Sequence, residues 1–206
     1  PPLGAHVLQQ ALDPAAGRAT DALSIDRNLQ MDAGRRKIQG RAASVRAFMA
    51  SFRGDLPAII QYAGQALENL PQEDLVWRSS AAIALGDAYS FSGEVIAACH
   101  ARLEALEASK AADNWYLTLI ASLKLAITIR QHGQLDRVIE ICQQQWQVAN
   151  DSGLSQTAVV GWLLAVWGEA LAELNDLERA RERAERGAEL AKLGNDVAMI
   201  GWSSVC

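Results

Sequence analysis

The chain has 206 residues, half of them hydrophobic and 21% charged, an ordinary globular composition with enough apolar material for a sizeable core. Its 24 acidic and 19 basic residues give a net charge of −5, which argues against the positive field that nucleic-acid binding needs. Three cysteines without paired spacing argue against a disulfide framework and for a reduced, cytoplasmic protein, and no apolar run is long enough to cross a membrane.

Residues 1–31 read as an irregular N-terminal segment. A short helix is possible over 3–12, followed by loop chemistry with Pro14, Gly17, Ser24, Asp26 and Asn28. From Asp32 the pattern becomes helical, with expected helices over 32–53, 55–70, 74–92, 94–111, 114–132, 134–150, 153–174, 176–193 and 196–206. Between the helices of each pair a phrase recurs: Gly54-Asp55-Leu56, Gly93-Glu94-Val95, Gly133-Gln134-Leu135 and Asn175-Asp176-Leu177, in steps of 39, 40 and 42 residues. A period near 40 marks repeat architecture. Residues 32–206 therefore predict an all-α, right-handed superhelical solenoid of about four and a half helix–turn–helix repeats. The chain begins Pro1-Pro2 without Met and stops at Cys206 within a helical pattern, so it reads as a piece of a longer protein.

The stops have a mechanism. Helices commonly end on a left-handed residue, Gly or sometimes Asn, which fits Gly54, Gly93, Gly133 and Asn175. Asp55 and Asp176 follow at once and can cap the next helix. On the first helix of a pair, a small residue stands seven positions before the turn and a larger one four before: Gly86 and Tyr89, Ala126 and Ile129, Gly168 and Leu171. Five positions after each turn come Ile59, Ala98, Val138 and Ala180, the expected facing contacts. This is similar to the tetratricopeptide pattern, with longer helices.

Arg53-Gly54-Asp55-Leu56-Pro57-Ala58-Ile59-Ile60, then Gln65-Ala66-Leu67-Glu68, then Ala84-Leu85-Gly86-Asp87-Ala88-Tyr89 carry a closer resemblance. They resemble the helical-repeat region of large, ATP-dependent, LuxR-type (MalT-like) transcriptional regulators over about residues 32–206. The resemblance implies a bacterial parent with an ATPase before the repeats and a helix-turn-helix after them. The repeats would be the inducer-sensing and protein-contact region. No phosphate loop of the Gly-x-x-x-x-Gly-Lys-Ser/Thr type occurs here, so no cofactor is expected in this chain. ATP and DNA would belong to separate domains of the parent. The alternative is a general tetratricopeptide protein–protein scaffold unrelated to transcription.

No catalytic motif appears, and no metal site. Cys99-His100 reads as a core cysteine beside a surface histidine, because adjacent helix residues diverge by about 100°. His132 suits a helix C-terminus. Trp167 reads as core, Trp77, Trp115 and Trp202 as wedges between repeats, and Trp146 as an outer-face residue. Glu182 and Arg186 stand at i,i+4 and can support each other.

Register on the turns projects one set of residues toward the concave face: Arg41, Ser44, Phe48 and Phe52, then Asp87 and Phe91, then Arg130 and Gln131, then Trp162, Glu169 and Glu173. Aromatics mixed with both charge signs make a candidate groove for a small-molecule inducer or a protein partner, although a solvated face is the alternative. For Trp162, packing against the neighbouring repeat is the favoured reading over a place in the groove. The last segment, 196–206, reads as a helix without its partner, so self-association through the C-terminal end is also expected.

Overall fold

The computed structural model describes residues 29–193, and every regular element among them is an α-helix. In chain order these are α1 (29–53), α2 (Leu56–Asn69), α3 (Leu75–Phe91), α4 (Val95–Ala111), α5 (Trp115–Arg130), α6 (Leu135–Asp151), α7 (Ala158–Glu173) and α8 (Leu177–Leu193). Successive helices form four hairpins. The second helix of each hairpin packs on the first helix of the next, α2 on α3, α4 on α5 and α6 on α7. First helices also touch one another, α3 with α5 and α5 with α7.

The four hairpin turns close in one way. Gly54, Gly93, Gly133 and Asn175 sit at φ of +66°, +77°, +71° and +62°. Glycine reaches that region without a Cβ clash, and Asn tolerates it best among the others. The next N–H then reaches back to the carbonyl five residues earlier: Asp55 to Ala50 (3.2 Å), Glu94 to Tyr89 (2.8 Å), Gln134 to Ile129 (3.3 Å) and Asp176 to Leu171 (2.9 Å). This satisfies a terminal carbonyl that the helix leaves orphaned. Asp55 Oδ1 accepts from the Ala58 N–H at 3.2 Å, and Asp176 Oδ1 from the Arg179 N–H at 3.4 Å, so both caps form.

The small-residue stripe brings the two helices of a hairpin together. A Cβ on Gly168 would lie 3.0 Å from the Ala180 carbonyl oxygen, and one on Gly86 would lie 2.8 Å from Arg102 Cγ. Ile59, Ala98, Val138 and Ala180 are all buried. Trp167 is core, and Trp77 wedges against Ala43, Ala66, Leu70 and Ala81 between the first two hairpins.

Several expectations need correction. α1 already runs at residue 29, within the segment expected to be irregular, and α7 starts at Ala158 rather than 153 because 154–157 form a turn. Trp115 is exposed rather than wedged. Trp146 is half-buried against the main core. On α8 the ion pairs are Arg181–Glu185 (2.7 Å) and Arg186–Glu189 (2.8 Å), while Glu182 faces Arg183 at 3.8 Å. The expected helices over 3–12 and 196–206, Trp202 and the C-terminal self-association surface lie outside the described residues.

Candidate binding face

Phenylalanine occurs three times in the chain, at Phe48, Phe52 and Phe91, and all three are exposed, by 60%, 75% and 77%. Burying one such ring is worth about 1.5–3 kcal/mol, so leaving all three outside forgoes a large stabilisation. Phe48 and Phe52 are one turn apart on α1 and meet edge-to-face, 4.9 Å between centroids at 87°. Phe52 and Phe91 hold the same register position, two before the turn. Gln131, just after α5, and Glu173, at the end of α7, hold it in the later hairpins, and both are exposed. This row therefore grades from aromatic to polar to acidic along the array.

One turn back stand Phe48, Asp87, Ile127 and Glu169, and the two carboxylates each anchor an ion-pair cluster. Asp87 takes Arg102 Nη2 at 3.1 Å on one oxygen and Lys124 Nζ at 2.9 Å on the other, joining α3, α4 and α5. Arg102 is 3% exposed and also donates to the Lys124 carbonyl. Burial pulls its guanidinium below the ordinary value, and the Asp87 charge opposes that. The missing Cβ of Gly86 gives the Arg102 stem its path. Further on, Arg130 bridges Glu169 (2.9 Å) and Glu173 (2.5 Å), tying α5 to α7. A groove of about 530 Å³ opens beside this bridge, lined by Glu169, Glu173, Leu177, Arg181 and Glu185 among others.

The remaining candidates sit differently. Arg41 forks onto Asp74, with Nε at 2.8 Å and Nη2 at 2.9 Å, and lies 5.6 Å over the Trp77 ring. It clamps α1 to the start of α3 and holds the Asp74 carboxyl below the usual range, chiefly through those hydrogen bonds. Ser44 is buried beside Ala43 and Ala47 rather than open to a ligand. That is a correction of its expected place, caused by the close approach of α1 to its neighbours. Trp162 is half-buried and packs on Ala165 and Ala191 and on the main core, the packing arrangement of its two expected alternatives.

Arg102, Lys124 and Asp74 were not among the expected site residues. Arg102 left one signal: a charged residue nine positions after the turn, where the other hairpins carry Ala63, Cys142 and Ala184. Cys142 is buried, and burial pushes its thiol up to about 12, so it is inert as a nucleophile. Cys99 is half-buried against the core and His100 is exposed. Among the described residues no cluster of His, Cys, Asp or Glu is arranged to hold a metal ion, and no helix is long and apolar enough to cross a membrane.

Stacked hairpins with left-handed Gly or Asn turns and a small-residue seam define a helical-repeat protein of the tetratricopeptide kind. The chain belongs to the MalT-like TPR region family, whose pattern matches residues 40–202. The crystal structure of aspartyl phosphate phosphatase F from Bacillus subtilis is similar in fold, with a TM-score of 0.67 at 11% identity, over 84% of this chain and 44% of that one. The chain thus spans less than half of that protein, and the likeness shows the fold alone. No curated protein has significant sequence similarity to the chain.

Proposed function

We propose that the chain is the non-catalytic sensing and interaction region of a bacterial LuxR-type, MalT-like regulator acting in the cytoplasm. In this reading the first-helix face is the concave one and receives an inducer or partner protein. The observation that carries the reading is the exposure of Phe48, Phe52 and Phe91, the first two in edge-to-face contact, because exposed aromatics are the usual anchors of an interface. The ion-pair clusters beside them supply fixed, directional partners. The groove next to Arg130 has the size of a small-molecule site. The chain itself uses no cofactor, and ATP and DNA are handled by separate domains of the parent. An occupant shifts the parent between inactive and active assemblies only by its differential affinity for the two.

The reading frame around the chain gives the first test. A phosphate loop upstream and a helix-turn-helix downstream support the regulator, and their absence favours a general interaction scaffold. In the full-length protein, Phe91→Ser should abolish the reporter response while DNA binding persists. An unchanged response would remove the aromatic patch from the mechanism.

A further inference from the structure

The helix α1 has two apolar sides. On one, Ala43, Ala47 and Ala50 are buried and pack on α2 and α3. On the other, Met31, Ile38, Val45 and Phe52 recur every seven residues and are exposed by 61%, 70%, 48% and 75%. Phe48 and Met49, also exposed, widen this second stripe near its end. No other described helix exposes large apolar side chains over three such steps. A repeat of seven keeps one face of a helix turned toward a single partner helix, because the slight mismatch with 3.6 residues per turn is taken up by supercoiling. From residue 31 to residue 52 the stripe runs about 30 Å.

The charge along α1 says what kind of helix fits. Arg35, Arg36, Lys37, Arg41, Arg46 and Arg53 share the helix with a single acidic residue, Asp32. Over 54–193 the balance is opposite, with 19 acidic and 11 basic residues. Arg41 and Lys37 are engaged with Asp74, at 2.8 and 3.9 Å. Arg35, Arg36, Arg46 and Arg53 are exposed and form no ion pair with another described residue. Arg46 lies over the Tyr62 ring at 6.0 Å, and it lines a cleft of about 410 Å³ with Ile38 and Ala42. At about 100° per residue, Arg35, Arg46 and Arg53 fall within about 20° of one another, along one edge of the stripe. An apolar seam with a cationic edge is matched by a helix with apolar residues at the same spacing and carboxylates beside them. A second copy of α1 would set arginine against arginine. An anionic membrane surface would attract α1 but repel the acidic remainder of the described chain.

We infer that the Met31–Ile38–Val45–Phe52 stripe is the docking surface for an acidic amphipathic helix of a partner protein, with Arg35, Arg46 and Arg53 pairing its carboxylates. This deepens the reading of the chain as an interaction region and rests on it. The test uses the whole 206-residue chain and two helical peptides of three heptads each. Both carry Leu at the first and fourth places of every heptad, and one has Glu, the other Lys, at the flanking places. By fluorescence anisotropy the chain should bind the Glu peptide at least about tenfold more tightly than the Lys peptide, and less tightly as salt rises. Ile38→Glu should weaken that binding about tenfold or more. Arg46→Glu with Arg53→Glu should reverse the preference in favour of the Lys peptide, a gain that an unfolded variant could not produce. Absence of peptide binding, or a preference that the charge reversal leaves unmoved, would overturn the inference. So would binding to phosphatidylserine–phosphatidylcholine vesicles that Ile38→Glu abolishes, with no peptide bound, since a membrane would then be the occupant. A dimer in sedimentation that Val45→Glu dissolves would overturn it in favour of a second copy. If no peptide binds while Phe91→Ser still abolishes the reporter response, the interaction reading stands and this stripe is not its site.

Discussion

In the first two hairpins the buried apolar positions are alanines, apart from Ile59 and Leu70, while Ile38, Phe48, Phe52, Phe91, Ile96 and Leu103 lie outside. In the last two hairpins large side chains join the buried alanines, although Trp115, Tyr116, Leu174 and Leu177 stay exposed. Leu119, Leu123, Leu125, Ile129, Leu163, Leu164, Trp167, Leu171 and Leu190 are buried, all in one continuous cluster. Alanine inside lets helices approach closely but buries little area per residue, whereas each large side chain contributes about 1.5–3 kcal/mol. The last two hairpins therefore carry most of the hydrophobic stabilisation. The first two leave several large side chains, Phe48, Phe52 and Phe91 among them, where another molecule can reach them. The same repeat serves as foundation at one end and as contact surface at the other.

The strongest way to break this comparison is a cavity in the second half. Leu164→Ala should cost about 3 kcal/mol or more, read from urea unfolding, because Leu164 is completely buried in the main cluster. A cost below about 1 kcal/mol would mean that the second half is not the foundation. Next comes the Asp87 cluster. Asp87→Ala leaves Arg102 buried without its carboxylate and should cost about 2–3 kcal/mol, toward the low side of the usual range because Asp87 and Lys124 are partly open to solvent. Adding Arg102→Met should restore much of that loss. If the double variant is worse than the single, burial of the unpaired charge is not the cause.

A smaller effect is expected from the clamp at the first interface. The Asp74 carboxyl is held below its ordinary value of 3.8 by Arg41, so its contribution is complete above that value and is lost as pH falls through the lower, folded value. Asp74→Asn should therefore be less stable than the parent at neutral pH, and the gap should close on acidification below about 3.8. A gap that stays constant down to acid unfolding would show that the pair contributes through shape alone.

Much of this was legible in the sequence. Gly54, Gly93, Gly133 and Asn175 announced their turns because positive φ restricts the residue types that fit, and Gly86 and Gly168 marked close approaches for the same kind of reason. The exposure of Phe52 and Phe91 followed from their shared register. Contacts that depend on distant residues left no such trace. Arg41 is captured by Asp74, 33 positions away, and Asp87 by Lys124, 37 positions away, so neither pairing has a local pattern. Ser44 and Trp162 were misread or left open for a related reason. Register gives a direction from the helix axis, but only the neighbouring helix decides whether that direction ends in solvent. The late start of α7 reflects the turn at 154–157, which replaces the helical turn that the apolar pattern suggested.

The smallest expected effect tests the central claim most directly. If Phe48, Phe52 and Phe91 are held outside the fold for contact with another molecule, replacing all three with Ser should leave the fold almost untouched, since exposed changes usually fall within about 0.5 kcal/mol each. The measurement is a thermal melt of the triple variant beside Leu164→Ala. The account predicts a shift of no more than about 2–4 °C for the triple change and a far larger drop for the single core change. A triple variant that melts as early as Leu164→Ala would show that the phenylalanines hold the first two hairpins together, and the aromatic face would then be part of the core.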